Sequence, residues 1–315
     1  MKKLEYKWGI FGHNKVLDGI EKDLIGGNIA HAYLFSGAAG IGKYTVAKKF
    51  AYILQCPNGA CGECNVCNEI SRGYHSDTLE FLDNGSSIKI EEIRVALDRL
   101  NMTKQAARKI LLIKNIERMT IQAANALLKT LEDPPEGTVF LLTTSNVKDI
   151  IPTIVSRVRT LKFRTLEDAD MKDFILKMHG SVSEEMLNIV LAAAPGLPGR
   201  ATSLLGNPAL FDRQQKMLAE INGLLANPNV ADRFLYVEGL VAMAKEEEDR
   251  QIIFDFMNVF ELVLRHELLV NIRAERATLP KEQLMKLLEL TQEARHLMKS
   301  NVNTRLLLEN MMLAL

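Results

Sequence analysis

The chain has 315 residues, with 39 basic and 39 acidic side chains, so its formal net charge is zero. Hydrophobic residues make up 47% and charged residues 25%, a composition typical of soluble globular proteins that excludes wholesale disorder. A chain of this length is expected to form two or three domains. No apolar run approaches the ~18 residues that span a bilayer, and the first residues lack the apolar stretch of a signal peptide. We therefore expect a cytoplasmic protein with no membrane partner. Its neutral charge argues against broad electrostatic wrapping of nucleic acid.

Residues 1–165 alternate segments typical of strands and of helices. Three apolar runs predict buried strands, at 32–37, 109–113 and 138–144. Helical periodicity predicts helices around them, at 43–54, 90–101 and 119–132. Apolar strands that alternate with helices indicate an α/β domain built on a parallel sheet.

The rest of the chain carries no strand signal. Residues 166–206 predict a small helical domain, and four or five longer amphipathic helices are predicted from 209 to 315. Breaks between these helices are expected at Asn-Pro-Asn (227–229) and near Pro280. The acidic run at 246–249 predicts a solvated helix end. Together with the α/β part, this pattern predicts three domains.

All the cysteines of the chain lie in one window of twelve residues, at Cys56, Cys61, Cys64 and Cys67. Four thiols at C-x4-C-x2-C-x2-C spacing in a cytosolic chain are typical of a tetrahedral structural zinc site, with free or redox-active cysteines as the alternative. Gly59 and Gly62 are turn formers that such a knuckle needs. His75 follows the window, and we expect it to be a hydrogen-bonding loop residue rather than a fifth ligand.

A phosphate-binding loop follows the first predicted strand and precedes a predicted helix. The sequence Gly-Ala-Ala-Gly-Ile-Gly-Lys at 37–43 fits G-x4-G-K. In that motif backbone N–H groups surround phosphates and the lysine reaches the β and γ oxygens. The candidate nucleotide-binding residues of the loop are Gly37, Gly40, Gly42 and Lys43.

Two features of this site argue against hydrolysis. The residue after the lysine should be a Ser or Thr that ligates Mg²⁺, and here it is Tyr44. Thr45 belongs to the candidate site but cannot simply substitute, since one helical step rotates a side chain by roughly 100°. An Asp and a Glu are expected directly after the second predicted strand, and the chain has Lys114 and Asn115. We do not expect Glu117 to point into the site, and we expect ATP binding to be weak or without hydrolysis.

Longer motifs of the chain resemble the AAA+ clamp-loader subunits of bacterial DNA polymerase III. They are FGHNKVLDGI, HAYLFSGAAGIGK, the cysteine knuckle, AANALLKTLEDPPEGTVFLLTTSN, PTIVSRV and SNVNTRLLLENMML. The resemblance covers nearly the whole chain, and NALLKTLEDPP followed by an SR motif is highly specific. It implies an AAA+ P-loop domain with a zinc knuckle at 1–165, a helical lid at 166–206 and a helical collar for oligomerisation at 207–315. Within the family the degenerate site favours the delta-prime type, in which the ATPase machinery is commonly eroded.

The resemblance also gives roles to individual residues. In clamp loaders a Ser-Arg-Cys motif places its arginine against the ATP of the neighbouring subunit, which here implies Ser156 and Arg157. Arginine suits this role because its planar fork grips phosphate oxygens bidentately. Val158 stands in the place of the Cys. Arg200 matches the sensor-2 position at the start of a lid helix. Thr144 and Asn146 lie where the family has the end of its sensor-1 strand, with capping of the strand as the alternative role.

The function that the resemblance implies is assembly of the complex that opens the sliding clamp and loads it on primed DNA. Its partners would be tau/gamma-type ATPase subunits and a delta subunit, and Arg157 would act on a neighbouring ATPase. One alternative is a working ATPase motor of the same complex, which Tyr44, Lys114 and Asn115 disfavour. A second is a zinc module that binds nucleic acid on its own, which the neutral charge and single tryptophan disfavour.

Overall fold

The computed structural model describes residues 6, 8–82, 86–103, 105–180, 182–246, 251–272, 278–298 and 302–315. The chain divides into two compact units, Met1–Asp170 with Gly196–Arg200, and Met171–Pro195 with Ala201–Leu315. The predicted three-domain division stays a prediction. Residues 247–249 of the acidic run lie outside the described residues. The same is true of residues 300 and 301, the first two of the C-terminal SNVN segment.

Five parallel strands form a single sheet in the described part of the first unit. They are β1 (Ala32–Ser36), β2 (Thr78–Phe81), β3 (Lys109–Ile113), β4 (Thr138–Thr144) and β5 (Arg159–Lys162), in the order β2-β3-β4-β1-β5. In this register Ser36 lies beside Thr144. The carboxyl ends of the adjacent interior strands β1 and β4 therefore lie side by side, where the phosphate loop begins.

Helices connect these strands. The first unit contains α1 (Asn14–Gly26), α2 (Lys43–Gln55), α3 (Asn65–Arg72), α4 (Ile90–Leu100), α5 (Ile121–Glu132) and α6 (Pro152–Val155). Short 3-10 turns follow β3 and β4, at Ile116–Arg118 and Val147–Asp149. Helix α5 begins at a threonine cap, where the Thr120 hydroxyl accepts a hydrogen bond of 3.2 Å from the Ala123 N–H.

Both faces of the sheet are covered, because successive side chains of a strand point to opposite sides. On one face the fully buried Tyr33 and Phe35 pack in a cluster with Phe50 of α2. On the other, Leu34 packs in a cluster with Leu127 of α5. Strands buried on both faces are continuous apolar runs, which is why the sequence predicts them clearly.

The structure confirms the three predicted strands as β1, β3 and β4 and the parallel α/β class. The sequence does not predict β2 and β5, which are the two edge strands of the sheet. Only Thr78 is buried in β2, and none of the four residues of β5 is buried. Half-exposed strands of four residues carry polar side chains and lack the apolar run that identifies a central strand.

The described part of the second unit contains helices and no strand. Helices α7 (Asp168–His179) and α9 (Pro198–Gly206) begin in the first unit, and the others are α8 (Glu184–Ala193), α10 (Pro208–Ala226), α11 (Val230–Glu246), α12 (Gln251–Ile272), α13 (Lys281–Leu297) and α14 (Thr304–Leu313). Phe256 and Phe260 stack at 5.6 Å between ring centroids within its buried core. The predicted breaks at 227–229 and near Pro280 are confirmed. None of the described helices is long and apolar enough to cross a membrane.

Candidate functional site: a phosphate loop, a surface arginine and a four-cysteine knuckle

The phosphate loop joins the end of β1 to the start of α2. Gly37, Gly40 and Gly42 have φ values of 156°, 75° and 96°. Side chains with a Cβ rarely adopt such values, so glycine suits all three positions. The Gly37 N–H donates a 3.2 Å hydrogen bond to the carbonyl of Thr144, which ties the first residue of the loop to the end of β4.

The start of helix α9 contacts the middle of this loop. The Arg200 backbone N–H donates a 3.1 Å hydrogen bond to the Gly40 carbonyl. A Cβ on Gly199 would lie only 2.8 Å from that carbonyl oxygen, and a Cβ on Gly40 would lie 3.0 Å from the Arg200 Cβ. Two glycines therefore permit a close backbone approach, which places the predicted sensor-2 residue Arg200 beside the loop.

Lys43 is buried at the first position of α2. Its ammonium donates hydrogen bonds of 2.6 Å to the Gly37 carbonyl and 2.8 Å to the Ala38 carbonyl. Burial lowers the pKa of Lys43 to about 8, against the opposing effect of the Glu117 carboxylate, and the Lys114 charge lowers it further. Two backbone carbonyls of the loop thus bind the Lys43 ammonium, and a phosphate would compete with them for this group.

Aromatic and cationic side chains occupy the place where the motif expects metal ligands. The Lys114 Nζ lies 5.6 Å from the Tyr44 ring centroid, and the Lys48 Nζ lies 6.0 Å from it. The Tyr44 hydroxyl is buried and has no hydrogen-bond partner among the described residues. Thr45, the remaining hydroxyl candidate, is exposed. Ammonium groups repel Mg²⁺, so this side of the site is unsuited to a divalent cation.

Glu117 lies close enough to the phosphate loop for its charge to raise the pKa of Lys43. The expectation that it does not point into the site stays a prediction. Ser145 holds the Glu117 carboxylate through its backbone N–H at 2.9 Å and through its hydroxyl. A left-handed turn at Asn115, with φ 56°, followed by a 3-10 turn redirects the chain after β3. Hydrophobic periodicity carries no signal for such a turn.

Polar side chains at the end of β4 satisfy one another locally. The buried Thr144 hydroxyl donates a 3.1 Å hydrogen bond to the Asn146 carbonyl and accepts one of 3.1 Å from the Asn146 N–H. The Asn146 side chain accepts a hydrogen bond from the Lys148 N–H. These contacts hold the end of β4 beside the loop, and the Thr144 hydroxyl and the Asn146 side chain cap the end of the strand.

Arg157 lies on the surface, one residue after Ser156, which caps α6. Its Nη1 donates hydrogen bonds of 3.1 Å to the Thr153 carbonyl and 3.4 Å to the Ser156 hydroxyl, and its Nη2 forms a 2.7 Å ion pair with Glu132. The arginine side chain keeps 37% of its area exposed. Its guanidinium is therefore held in one direction and stays open to contact from outside.

The four cysteines converge after helix α2. Their sulfurs all lie within 4.8 Å of one another, and the Sγ of Cys56 is 3.7 Å from those of Cys61 and Cys64. Four sulfurs arranged tetrahedrally at ~2.3 Å from one Zn²⁺ would be separated by about 3.8 Å. A disulfide needs ~2.05 Å between its sulfurs, so these thiols are unpaired. The donor set fits a zinc ion.

The backbone around the cysteines has the turns that the knuckle needs. Gly59 and Gly62 have φ values of 64° and 83°. The Cys64 sulfur accepts a 3.4 Å hydrogen bond from the Cys67 N–H, which caps the start of α3. His75 is buried and lies 3.0 Å from the Thr78 hydroxyl through its Nδ1. It thus has the hydrogen-bonding loop role expected from the sequence.

The sequence alone missed His13, the residue before α1. Its Nε2 lies 2.9 Å from the Ile41 carbonyl in the phosphate loop, and its ring packs edge-on against Phe163 at 4.8 Å. Since a carbonyl only accepts, the ring donates from Nε2. Burial lowers the pKa of His13, partly offset by the bond to Ile41. No local pattern around a single histidine predicts a contact with a loop 28 residues away.

Similar proteins point to one family. Residues 12–167 match a family described as DNA polymerase III, delta subunit. The DNA polymerase III subunit gamma of Buchnera aphidicola subsp. Schizaphis graminum is 35% identical over 241 residues, 74% of this chain and 66% of that protein. The delta' subunit of Bacillus subtilis is 31% identical over 205 residues, 64% of this chain and 60% of that protein. The matched stretch thus spans less than two thirds of these relatives.

A solved structure is similar over most of the chain. It is a DNA polymerase III gamma subunit-related protein from Thermotoga maritima, with a TM-score of 0.50 and 22% identity. The similarity covers 94% of this chain and 97% of that one. At this level of identity it shows the shared fold alone.

Proposed function

The chain belongs to the AAA+ clamp-loader subunits of bacterial DNA polymerase III, and we propose that it acts as a delta-prime-type subunit. Such a subunit serves as a stator, a rigid partner that does not hydrolyse ATP, in loading the sliding clamp on primed DNA. Its partners in this proposal are tau/gamma-type ATPase subunits and a delta-type subunit, with the clamp and DNA engaged through the complex. Such a role belongs to the cytoplasm of a bacterial cell. The chain itself hydrolyses no ATP.

The observation that carries the stator role is the cationic environment of Tyr44. The Lys114 ammonium lies 5.6 Å from the ring centroid of Tyr44, the residue that replaces the Mg²⁺-ligating Ser or Thr of the motif. Hydrolysis in P-loop enzymes needs a metal that bridges the β and γ phosphates and a residue that orients water. Here a positive charge lies near the residue that replaces the metal ligand, and Asn115 cannot act as a base. ATP binding to the loop would be weak and without turnover.

Arg157 carries the contribution to a neighbour. A guanidinium supplied in trans neutralises charge that develops on a γ-phosphate, and in GTPase systems this is worth ~10³–10⁵ in rate. The guanidinium is oriented by Thr153, Ser156 and Glu132 and is open to approach. In this proposal Ser156 positions the arginine, and the nucleotide belongs to the neighbouring ATPase.

A structural zinc ion completes the proposal. Cys56, Cys61, Cys64 and Cys67 would supply all four ligands, which leaves no position for water and excludes metal catalysis at this site. When bound, the ion would cross-link the end of α2 to α3. Its role is to hold the knuckle together.

The test is ATP turnover by a loader reconstituted from this chain with tau/gamma-type and delta-type subunits. We expect the chain alone to show no Mg-ATP turnover, and Arg157→Ala to lower turnover of the complex by at least about tenfold. Arg164→Ala, which removes an exposed arginine from the same segment, is the matched control. Unchanged turnover with Arg157→Ala would overturn the role of Arg157 at the neighbouring subunit's nucleotide.

A working ATPase subunit of the same complex is the second candidate. Both relatives named gamma or tau and relatives named delta' match this chain. The glycines and the lysine of the phosphate loop are also intact. Turnover by the isolated chain that Lys43→Ala abolishes would establish this candidate. It would mean that Tyr44 and Lys114 do not prevent metal binding.

A further inference from the structure

Glu132 stands where helix electrostatics disfavour an acidic residue. It is the last residue of α5, and the carbonyl end of a helix carries partial negative charge that repels a carboxylate. Its oxygen forms the 2.7 Å ion pair with Nη2 of Arg157. The helix end by itself therefore does not favour a carboxylate at this position.

Stability does not account for this pair. The Glu132 side chain is 47% exposed and that of Arg157 is 37% exposed. Exposed ion pairs contribute little to the free energy of folding, because water screens them and both long side chains lose rotamer freedom. The pair can therefore be broken without unfolding the domain.

The geometry of the pair fixes the direction of the guanidinium. Nη1 bonds the Thr153 carbonyl and the Ser156 hydroxyl, and that hydroxyl donates a 3.0 Å hydrogen bond to the same carbonyl. These contacts come from one side, and Glu132 holds Nη2 from another chain segment. An arginine has five N–H donors, so these three contacts leave donors for a phosphate oxygen.

We propose that Glu132 is the positioning residue for Arg157, holding the guanidinium in the orientation in which it engages a neighbouring subunit's nucleotide. This deepens the proposed function and rests on it. A guanidinium that is already oriented loses less side-chain entropy on reaching a phosphate. Without Glu132, the Arg157 guanidinium would keep, among the described residues, only its contacts to Thr153 and Ser156, which rotate with its own segment.

The experiment measures steady-state ATP turnover of the reconstituted loader with Glu132→Ala, Glu132→Gln, Arg157→Ala and the Glu132→Ala/Arg157→Ala pair. We expect Glu132→Ala to lower kcat about three- to tenfold with little change in KM for ATP, since misplaced catalytic groups cost rate. Glu132→Gln keeps an oxygen acceptor and should restore most of the rate. Glu136→Ala, which removes an exposed carboxylate four residues later, is the matched control.

The double variant separates positioning from any other role. If Glu132 acts through Arg157, the pair of substitutions should be no slower than Arg157→Ala alone. Unchanged or faster turnover with Glu132→Ala, beside a slow Arg157→Ala, would overturn the positioning role and leave the proposed role of Arg157 standing. A further loss in the double variant, or a lowered Tm of Glu132→Ala, would also overturn it. Normal turnover with Arg157→Ala would instead remove the proposed function.

Discussion

The Tyr33 hydroxyl donates a 2.9 Å hydrogen bond to the Asp23 carboxylate, which joins the central strand β1 to helix α1. The same hydroxyl accepts a 3.0 Å hydrogen bond from the Ala30 N–H. Arg159 of β5 pairs with Asp23, and its guanidinium lies 5.9 Å from the Tyr33 ring centroid. Burial, with the nearby Asp23 charge, raises the pKa of Tyr33 to about 12. One buried phenol thus connects a helix and two adjacent strands.

Tyr33→Phe should lower the free energy of unfolding by about 1–3 kcal/mol, because it leaves buried partners of the hydroxyl unsatisfied. Urea unfolding of the full chain, followed by circular dichroism, measures the change. Tyr74→Phe is the matched control, since that side chain is 76% exposed and its loss of a hydroxyl should cost almost nothing. Equal stabilities of the two variants would contradict the network.

The contrast between these contacts and the strands shows what the sequence can predict. β1, β3 and β4 are apolar on both faces, so their sequences alone identify them. The motif at 37–43 likewise predicts the phosphate loop, because the local backbone geometry of the loop requires its glycines. The pairing of Glu132 with Arg157 joins residues 25 positions apart and follows only from how α5 and α6 pack. The path of the chain from β3 to Glu117 depends on one left-handed residue, Asn115, which has no periodic signature.

The stability contribution of Lys43 should depend on pH. Its pKa is about 8 in the folded chain and is ordinarily near 10.5, so between these values the unfolded chain binds more protons. Wild-type stability relative to Lys43→Met should therefore rise from pH 8 to pH 10, by up to about 1.4 kcal/mol per pH unit. Urea unfolding of both proteins at several pH values measures this difference. Lys22→Met makes the same charge change at an exposed site of α1 as a control.

A stability difference that stays flat over this range would contradict the burial of the Lys43 ammonium. A difference that falls as pH rises would mean that the loop carbonyls of Gly37 and Ala38 stabilise the charged form more than burial disfavours it.

Protein purified without added metal should contain about one zinc ion per chain, as four thiolates around one tetrahedral ion require. Cys64→Ser should lower both the zinc content and the Tm, because the knuckle loses a ligand and the cap of α3. Elemental analysis and thermal unfolding measure the two effects. Ser71→Ala, on the same helix, should change neither. A metal-free chain with an unaltered Tm in Cys64→Ser would contradict the zinc site.

Gln214 in α10 is 1% exposed, and neither atom of its amide has a hydrogen-bond partner among the described residues. Since unpaired buried polar groups are costly, Gln214→Leu should raise the free energy of unfolding by about 1 kcal/mol. Gln283→Leu should lower it, because that amide donates hydrogen bonds of 3.0 Å and 2.5 Å to the carbonyls of Ala314 and Leu315. Chemical unfolding compares the two variants directly. A loss of stability in both would show that Gln214 is paired after all.

Helix α2 begins at the phosphate loop and ends immediately before the cysteine knuckle. With 13 residues at 1.5 Å per residue, it separates the two features by about 20 Å. Neither feature shares a side chain with the other, since the loop uses Lys43 and the knuckle starts at Cys56. The two can therefore follow separate evolutionary histories. Descendants of this protein can lose their cysteines, or acquire a serine or threonine at position 44, without one inherited change forcing the other.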